Sequence, residues 1–575
     1  MCGILALLNG REITPAIIKS FQKGVGRGPE NSTIKLFLNN VIMGFHRLAI
    51  NGQETKDDQP LNVSNCVLIC NGEIYNFKYL YSLFETNKFS NNDCEIIIHL
   101  YKKFGIEETL NLIDGVFSFV LLDLEKKEIY IARDSVGVRP LYKVKKSSNF
   151  FYGFSSEMKM VADFKPDAIV PFQPGTLSKF KLEFISKLQT WLWTPVFQNK
   201  QYTQKFNGID YTIENEEIAF QRISTALEKA VEKRVGATDR PVACLLSGGL
   251  DSSLICALVK KKYKGGVLET FSIGLENSED LKYARIVADY LGTKHTEIKV
   301  SEKEFLGAIP ETIKAIESYD TTTVRASVGN YLVSKYISKH SDAKVIFNGD
   351  GSDEVCGGYI YFHAAPDAIS FDRECKRLLN DIHMFDVLRS DRSISSNGLE
   401  PRTPFLDKSF VQVYHSIPPH LRCHNLKKNC EKYLLRKSFD NSMLLPKEIL
   451  FRKKEAFSDG VSGLKRSWFE IIQEFIKKSV PIQEMIKKPY NNLKFKTTNN
   501  LPAWNTPETD EQKYYRKIFH SFYEDYSTSI PYFWMPKFIK ATDSSARTLN
   551  IYKKENEIKN KNEINNIDGT KKNQV

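Results

Sequence analysis

No C-x-x-C pair occurs among the ten cysteines of this 575-residue chain, and most of them, Cys66, Cys70, Cys94, Cys244 and Cys256 included, sit inside apolar runs. That pattern argues against a zinc site and against a secreted disulfide framework, and leaves reduced, buried thiols. No uninterrupted apolar stretch is long enough to span a bilayer, and no basic segment followed by an apolar run opens the chain. Neither a membrane span nor a signal peptide is therefore expected, and the protein reads as cytoplasmic. The G-x-x-x-x-G-K-[ST] phosphate loop is also missing, so any nucleotide must be held another way. The net charge of +12 is spread along the chain; it favours solubility and does not mark a specific nucleic-acid partner.

What is present begins at the second residue. The chain opens Met1-Cys2-Gly3-Ile4, and removal of Met1 would give Cys2 a free α-amine beside its own thiol. An amine of pKa about 7.7 to 8.0 can draw the proton from a thiol of about 8.5 near neutral pH, directly or through one water. Cys2 is thus a candidate N-terminal nucleophile.

The length requires at least two domains. Strands are expected at 5–8, 41–49, 66–70, 117–122 and 129–132, with a helix over 94–104 stopped by Gly105; this alternation suggests sheets sandwiched by helices over 1–194. Thr194-Pro195 and the polar stretch after it read as a linker over 195–215. From 216 to 540 strands alternate with helices: strand 242–246, a helix with Leu250, Leu254, Ile255, Leu258 and Val259 on one face, strand 270–273, and a helix over 281–291 before Gly292. That order implies a doubly wound parallel sheet. Residues 541–575, rich in Lys, Asn and Glu, are expected to be a disordered tail.

Two loops in the second domain carry chemistry. Ser247-Gly248-Gly249-Leu250-Asp251-Ser252-Ser253 falls where a parallel strand gives way to a helix, and there backbone N–H groups and the helix dipole favour an anion. Small residues admit phosphates, hydroxyls add donors, and Asp251 can hold Mg2+. The string resembles the S-G-G-x-D-S loop of ATP pyrophosphatases, which split ATP into AMP and pyrophosphate. Strand 345–347 runs into Asn348-Gly349-Asp350-Gly351-Ser352-Asp353-Glu354, whose carboxylates would repel one another without a nearby cation.

Both centres together resemble those of the glutamine-hydrolysing asparagine synthetases, over nearly all of the chain from Cys2 to about Tyr526. The matching strings include Arg27-Gly28-Pro29, His46-Arg47-Leu48, Asn71-Gly72-Glu73-Ile74-Tyr75-Asn76, Asp93-Cys94-Glu95, Pro404-Phe405-Leu406-Asp407 and Lys453 through Gly460. The resemblance implies a class II glutaminase domain of N-terminal nucleophile type, an αββα sandwich, followed by an ATP pyrophosphatase-type synthetase domain. It implies that Cys2 attacks glutamine while Asn71 and Gly72 hold the oxyanion, with Arg47, Ile50, Glu73 and Asp93 binding the substrate. It gives ATP to Leu246, Ser247, Gly248, Gly249, Asp251, Ser252, Ile273, Asn348 and Gly349, and Mg2+ to Asp251 and Asp353. Lys454 would offset phosphate charge, Asp350 would deprotonate ammonia, and Thr322, Thr323 and Arg325 would position aspartate or support their loop. Glutamine, aspartate and ATP are then the partners, β-aspartyl-AMP the intermediate, and an enclosed ammonia passage is expected. Oligomeric state stays open, a homodimer included.

The chain departs from the family at Asp350, where glutamate is usual, at Glu30, where Asp is usual, at Asn51-Gly52 and at Val328-Gly329-Asn330. A loop shift is expected to compensate for the shorter Asp350 arm. The competing reading is a glutamine-dependent, AMP-forming enzyme that amidates another carboxylate. β-Lactam synthetase has the phosphate loop but no N-terminal cysteine, so Cys2 favours the ammonia route. A non-catalytic scaffold would be expected to lose Cys2, Asp251 or Lys454, and all three are present.

Overall fold

A computed structural model describes residues 1–203, 208–427, 429–463, 466–487, 505–524 and 526–549. The first domain holds two six-stranded antiparallel sheets. One runs in the order Ala168–Pro171, Tyr142–Lys146, Phe151–Ser155, Gly3–Leu8, Val41–Arg47, Asn31–Phe37. The other runs Thr190–Gln201, Thr176–Ile185, Glu128–Arg133, Gly115–Asp123, Cys66–Ile74, Leu61–Val63.

Strand alternation explains the layering, because successive side chains face opposite sides of a sheet. Ile4, Ala6 and Leu8 meet Val67, Ile69, Val120 and Leu122 between the sheets. Leu5 and Leu7 point the other way, toward Phe21 of the helix Pro15–Gln22. Leu68, Cys70, Phe119 and Leu121 pack under the helices Ile96–Phe104 and Ile106–Leu112. Helix, sheet, sheet and helix follow in that order, the αββα sandwich expected.

The expected linker is displaced. Thr194 and Pro195 lie within the strand Thr190–Gln201, paired with Lys181 and Phe180. That strand is the sheet edge, where a proline removes no ladder hydrogen bond, so Pro195 extends the domain instead of ending it.

In the second domain five parallel strands stand in the order Lys294–Lys299, Glu269–Gly274, Val242–Leu245, Val345–Phe347, Glu400–Arg402. Strand order reverses between Val242–Leu245 and Val345–Phe347, and ligands of doubly wound sheets bind at that switch point, beyond the carboxyl ends of the strands. Both predicted loops open there. The helix Leu250–Lys262 differs from its expected one-faced pattern, since every residue from Ser253 to Val259 is buried. It is walled in by the sheet, by the helix Glu216–Val235 and by the helix Glu279–Leu291.

The expected tail is shorter than drawn. Residues 541–549 are packed: Leu549 is buried among Tyr361, Phe362 and Trp534, and Asp543 is ion-paired with Arg325. Residues 550–575 lie outside the described residues. No described helix is long and apolar enough to cross a membrane.

Candidate active sites

The strand Cys66–Ile74 presents Asn71, Gly72 and Glu73 in succession, with Asn71 and Glu73 on one face. Asn71 is fully buried, yet neither its Oδ1 nor its Nδ2 has a hydrogen-bond partner among the described residues. Leaving a buried amide unpaired costs about 1–3 kcal/mol, so this side chain is built to meet a ligand atom. Gly72 cannot carry a side chain, because a Cβ there would stand 2.4 Å from the Val116 carbonyl oxygen.

Cys2 enters from the other sheet. Its thiol donates to the Leu48 carbonyl at 3.7 Å, and its carbonyl accepts from Arg27 Nε at 2.9 Å. Burial pushes the Cys2 thiol up and the Met1 ammonium down. Met1 is itself enclosed, its ammonium 3.8 Å from Glu400. The buried turn after Leu48 carries Ile50 and then Asn51, whose Nδ2 donates to Glu73 at 2.7 Å and lies 3.4 Å from Asp93. The Glu73 and Asp93 carboxylates thus converge on one N–H donor, the geometry an amine would use. Burial lifts Asp93 to about 6, and burial together with the Asp93 charge pushes Glu73 upward.

Arg47 is already engaged. Its guanidinium donates to Asp58, to the Gly52 carbonyl at 2.7 Å and to the Glu54 carbonyl at 3.3 Å, so it holds the loop 52–58 closed. Glu30 accepts from the Ala49 N–H at 2.6 Å and pairs with Arg240 of the second domain at 3.1 Å, which gives that departure a place at the pocket rim.

In the second domain one cleft is lined by Leu246, Ser247, Gly249, Asp251, Ser252, Ile273, Asn348, Gly349, Asp350, Asp353 and Lys454. Apolar Leu246, Phe271 and Ile273 wall one part of it, and Asp251, Asp350, Asp353, Arg389, Lys432 and Lys454 are among the charged groups that line it elsewhere. Gly248 turns with φ +71°, and a Cβ there would meet Tyr283 and Ala284 backbone atoms at 2.4 Å. Ser252 Oγ is 2.9 Å from Ser247 Oγ and accepts from the Ser247 N–H at 3.1 Å, so the loop's own hydroxyls hold it open above the helix N-terminus.

Lys432, which the sequence reading did not single out, ties the two loops together. Its Nζ lies 2.6 Å from Asp251 and 2.5 Å from Asp353, and Lys454 Nζ lies 2.7 Å from Asp353. Burial disfavours the Asp353 charge, but the two ammonium groups outweigh it and hold its pKa far below the usual range. Arg389 is the second residue missed. It donates to Asp350 Oδ1 at 3.0 Å, and the buried Asp350 Oδ2 has no hydrogen-bond partner among the described residues.

The three predicted aspartate residues separate. Thr322 lines the cleft with an unbonded Oγ1. Thr323 instead donates its hydroxyl and its N–H to Asp320, at 2.7 and 2.9 Å, at the start of the helix Thr321–His340. Arg325 is buried in ion pairs with Glu511 at 2.6 Å and Asp543 at 2.7 Å. Neither Thr323 nor Arg325 lines the cleft, so the structure uses them to set the helix that carries Thr322.

An amide-holding sandwich joined on one chain to a parallel sheet with an anion loop at its switch point defines an amidotransferase coupled to a synthetase. Residues 1–189 match the family described as glutamine amidotransferase domain, and residues 222–371 and 365–528 match the family described as asparagine synthase. Glutamine-hydrolyzing asparagine synthetases are 42% identical to it over 574 residues in Gallus gallus, 42% over 576 in Cricetulus griseus and 41% over 576 in Homo sapiens. Each alignment covers 96% of this chain and 99% of the relative. The chain belongs to the family of glutamine-hydrolysing asparagine synthetases.

Proposed function

We infer that this enzyme makes asparagine from aspartate and ATP with ammonia released from glutamine. The observation that carries the reading is the pairing of the unpartnered Asn71 amide with the lysine-bridged Asp251 and Asp353 on a single chain. Kinship over almost the whole length favours aspartate over another carboxylate as acceptor.

Removal of Met1 frees the Cys2 amine, which takes the thiol proton; the thiolate then attacks the glutamine amide carbon. Asn71 Nδ2 and the Gly72 N–H donate to the oxyanion. Ammonia departs with the proton from the amine, and water releases glutamate from the thioester. Glu73 and Asp93 take the substrate amine from the Asn51 amide, and Arg47 exchanges Asp58 for the substrate carboxylate. In the second cleft Leu246 and Ile273 flank the adenosine, and Ser247, Gly249 and Ser252 donate to phosphates. The aspartate β-carboxylate attacks the α-phosphorus and pyrophosphate leaves, with Lys454 offsetting the charge. Ammonia adds to the β-aspartyl carbonyl, Asp350 takes its proton, and AMP departs.

Mg2+ fits the carboxylate pair. Asp251 and Asp353 already converge on one ammonium, and no group of three metal-ligating side chains collects among the described residues. The ion would therefore be completed by phosphate oxygens and water, as Mg2+ prefers. When bound, it neutralises phosphate charge. Cytoplasmic residence belongs to the same reading.

Purified protein given ATP, Mg2+, aspartate and amide-labelled glutamine should yield labelled asparagine and AMP in equal amounts. Cys2→Ala should abolish this yet keep asparagine synthesis from ammonium. Absence of asparagine with either nitrogen source would refute the assignment.

A further inference from the structure

Residues 534–547 return to the synthetase domain beside the cleft. Trp534 N–H donates to Asp320 at 2.7 Å, at the cap of the helix that carries Thr322. Asp543 receives two hydrogen bonds from Arg325 of the same helix, at 2.7 and 2.9 Å. Four residues on, Arg547 turns to a different segment. It donates to the carbonyls of Asp459 and Gly463, each at 3.1 Å, and its Nε lies 3.5 Å from Glu455. Ser545 adds a bond to the Asp459 carboxylate at 3.1 Å. Glu455 lines the cleft immediately after Lys454.

The segment that needs holding has no regular structure of its own. Residues 452–456 form neither helix nor strand, so no backbone ladder fixes where Lys454 sits. Its position depends on its own ion pair with Asp353 and on side-chain contacts made by its neighbours, which come in part from residues 543–547. Charge complementarity is satisfied in both directions, with an acid meeting Arg325 and a base meeting Glu455.

We propose that Arg547, together with Asp543, is a positioning residue of the synthetase site: residues 543–547 form a clasp that fixes the Lys454 segment against the start of the helix Thr321–His340. Neither residue lines the cleft; the clasp acts by keeping the Lys454 ammonium where charge develops on the transferring phosphate. The inference rests on the synthetase reading above. A misplacement of about 1 Å costs on the order of a hundredfold in rate, so loss of the clasp appears in kcat before it appears in binding.

The test uses the full chain and its Arg547→Ala, Arg547→Lys and Asp543→Asn variants. Two rates are read: glutamate release from glutamine without ATP, and asparagine synthesis from ammonium with kcat and KM for ATP. Arg547→Ala is expected to lower synthetic kcat by roughly tenfold to a hundredfold, with KM for ATP and glutamine hydrolysis near their original values. Arg547→Lys should recover part of the loss, since it keeps the charge but not the fork of donors, and Asp543→Asn should show a smaller loss of the same kind. Unchanged synthesis in Arg547→Ala overturns the proposal. So does a parallel fall in glutamine hydrolysis, which would mark a structural role, or a rise in KM with kcat intact, which would mark a binding role. If the unaltered chain makes no asparagine, the functional reading fails first and this inference falls with it.

Discussion

Two side chains, Asn71 and Asp350, stand out for a buried polar atom left unpaired among the described residues. In the proposed reaction the first would donate to the oxyanion and the second would accept a proton. At Asp350, Arg389 donates to one carboxylate oxygen at 3.0 Å, and the other has no hydrogen-bond partner among the described residues. At the glutamine pocket the Asp93 carboxyl titrates at about 6 because burial penalises its charge. In the proposed glutamine site protonation would remove the charge that draws the substrate amine, so KM for glutamine should rise as pH falls through about 6. A KM–pH profile of glutamine hydrolysis checks this; a flat profile between pH 5 and pH 7 would assign the amine to another group. That Asp251 and Asp353 stand in loops opening on one cleft was legible in the sequence, because each loop follows a strand of the parallel sheet. Lys432 and Arg389 were not, because their roles arise from long-range placement, and Lys432 sits in a left-handed backbone conformation, φ +56°, that no local pattern marks.

At the level of elements, glycines set how closely the two loops approach. A Cβ on Gly349 would lie 2.7 Å from the Asp251 Cβ and from the Ser252 N–H nitrogen, both part of the opposite loop. Gly349→Ala should therefore push the loops apart and weaken ATP binding by about tenfold or more, while glutamine hydrolysis in the other domain stays intact. Calorimetric titration with ATP and Mg2+ reads the first effect. The strand and helix pattern that placed these loops was readable because hydrophobic periodicity is local. The boundary at Pro195 was not, since an edge strand and a linker look alike until the neighbouring strand is known. For the same reason, a Lys- and Asn-rich composition after 541 gave no sign that Asp543 and Arg547 meet buried partners.

Across the whole molecule, buried charges join the domains. Arg402 of the last parallel strand pairs with Glu400 at 2.8 Å and lies 3.5 Å from Glu73 in the glutamine pocket. The Arg402 carbonyl also accepts from the Asn348 N–H at 3.1 Å at the head of the nucleotide loop. Arg402→Met would strand two carboxylates and should cost about 3–5 kcal/mol, measurable by urea denaturation. Glu400 adds a pH signature. Burial opposes its charge, but Arg402, the Met1 ammonium and Arg139 hold its pKa down to about 2. Its contribution is therefore fully present above the unfolded value of about 4.3 and is lost as pH falls toward 2. The Arg402→Met chain should show a shallower loss of stability over that window.

Arg27 gives this interface a further meaning. It bonds the Cys2 carbonyl with one nitrogen and Asp391 of the second domain with another, at 2.9 and 2.8 Å, and is wholly buried. A first domain separated from the second would leave the Arg27 guanidinium without Asp391 and with Glu157, 3.6 Å away, as its remaining carboxylate. Such a half should be less stable than the same domain in the whole chain, since one of its buried charges has lost its nearest partner.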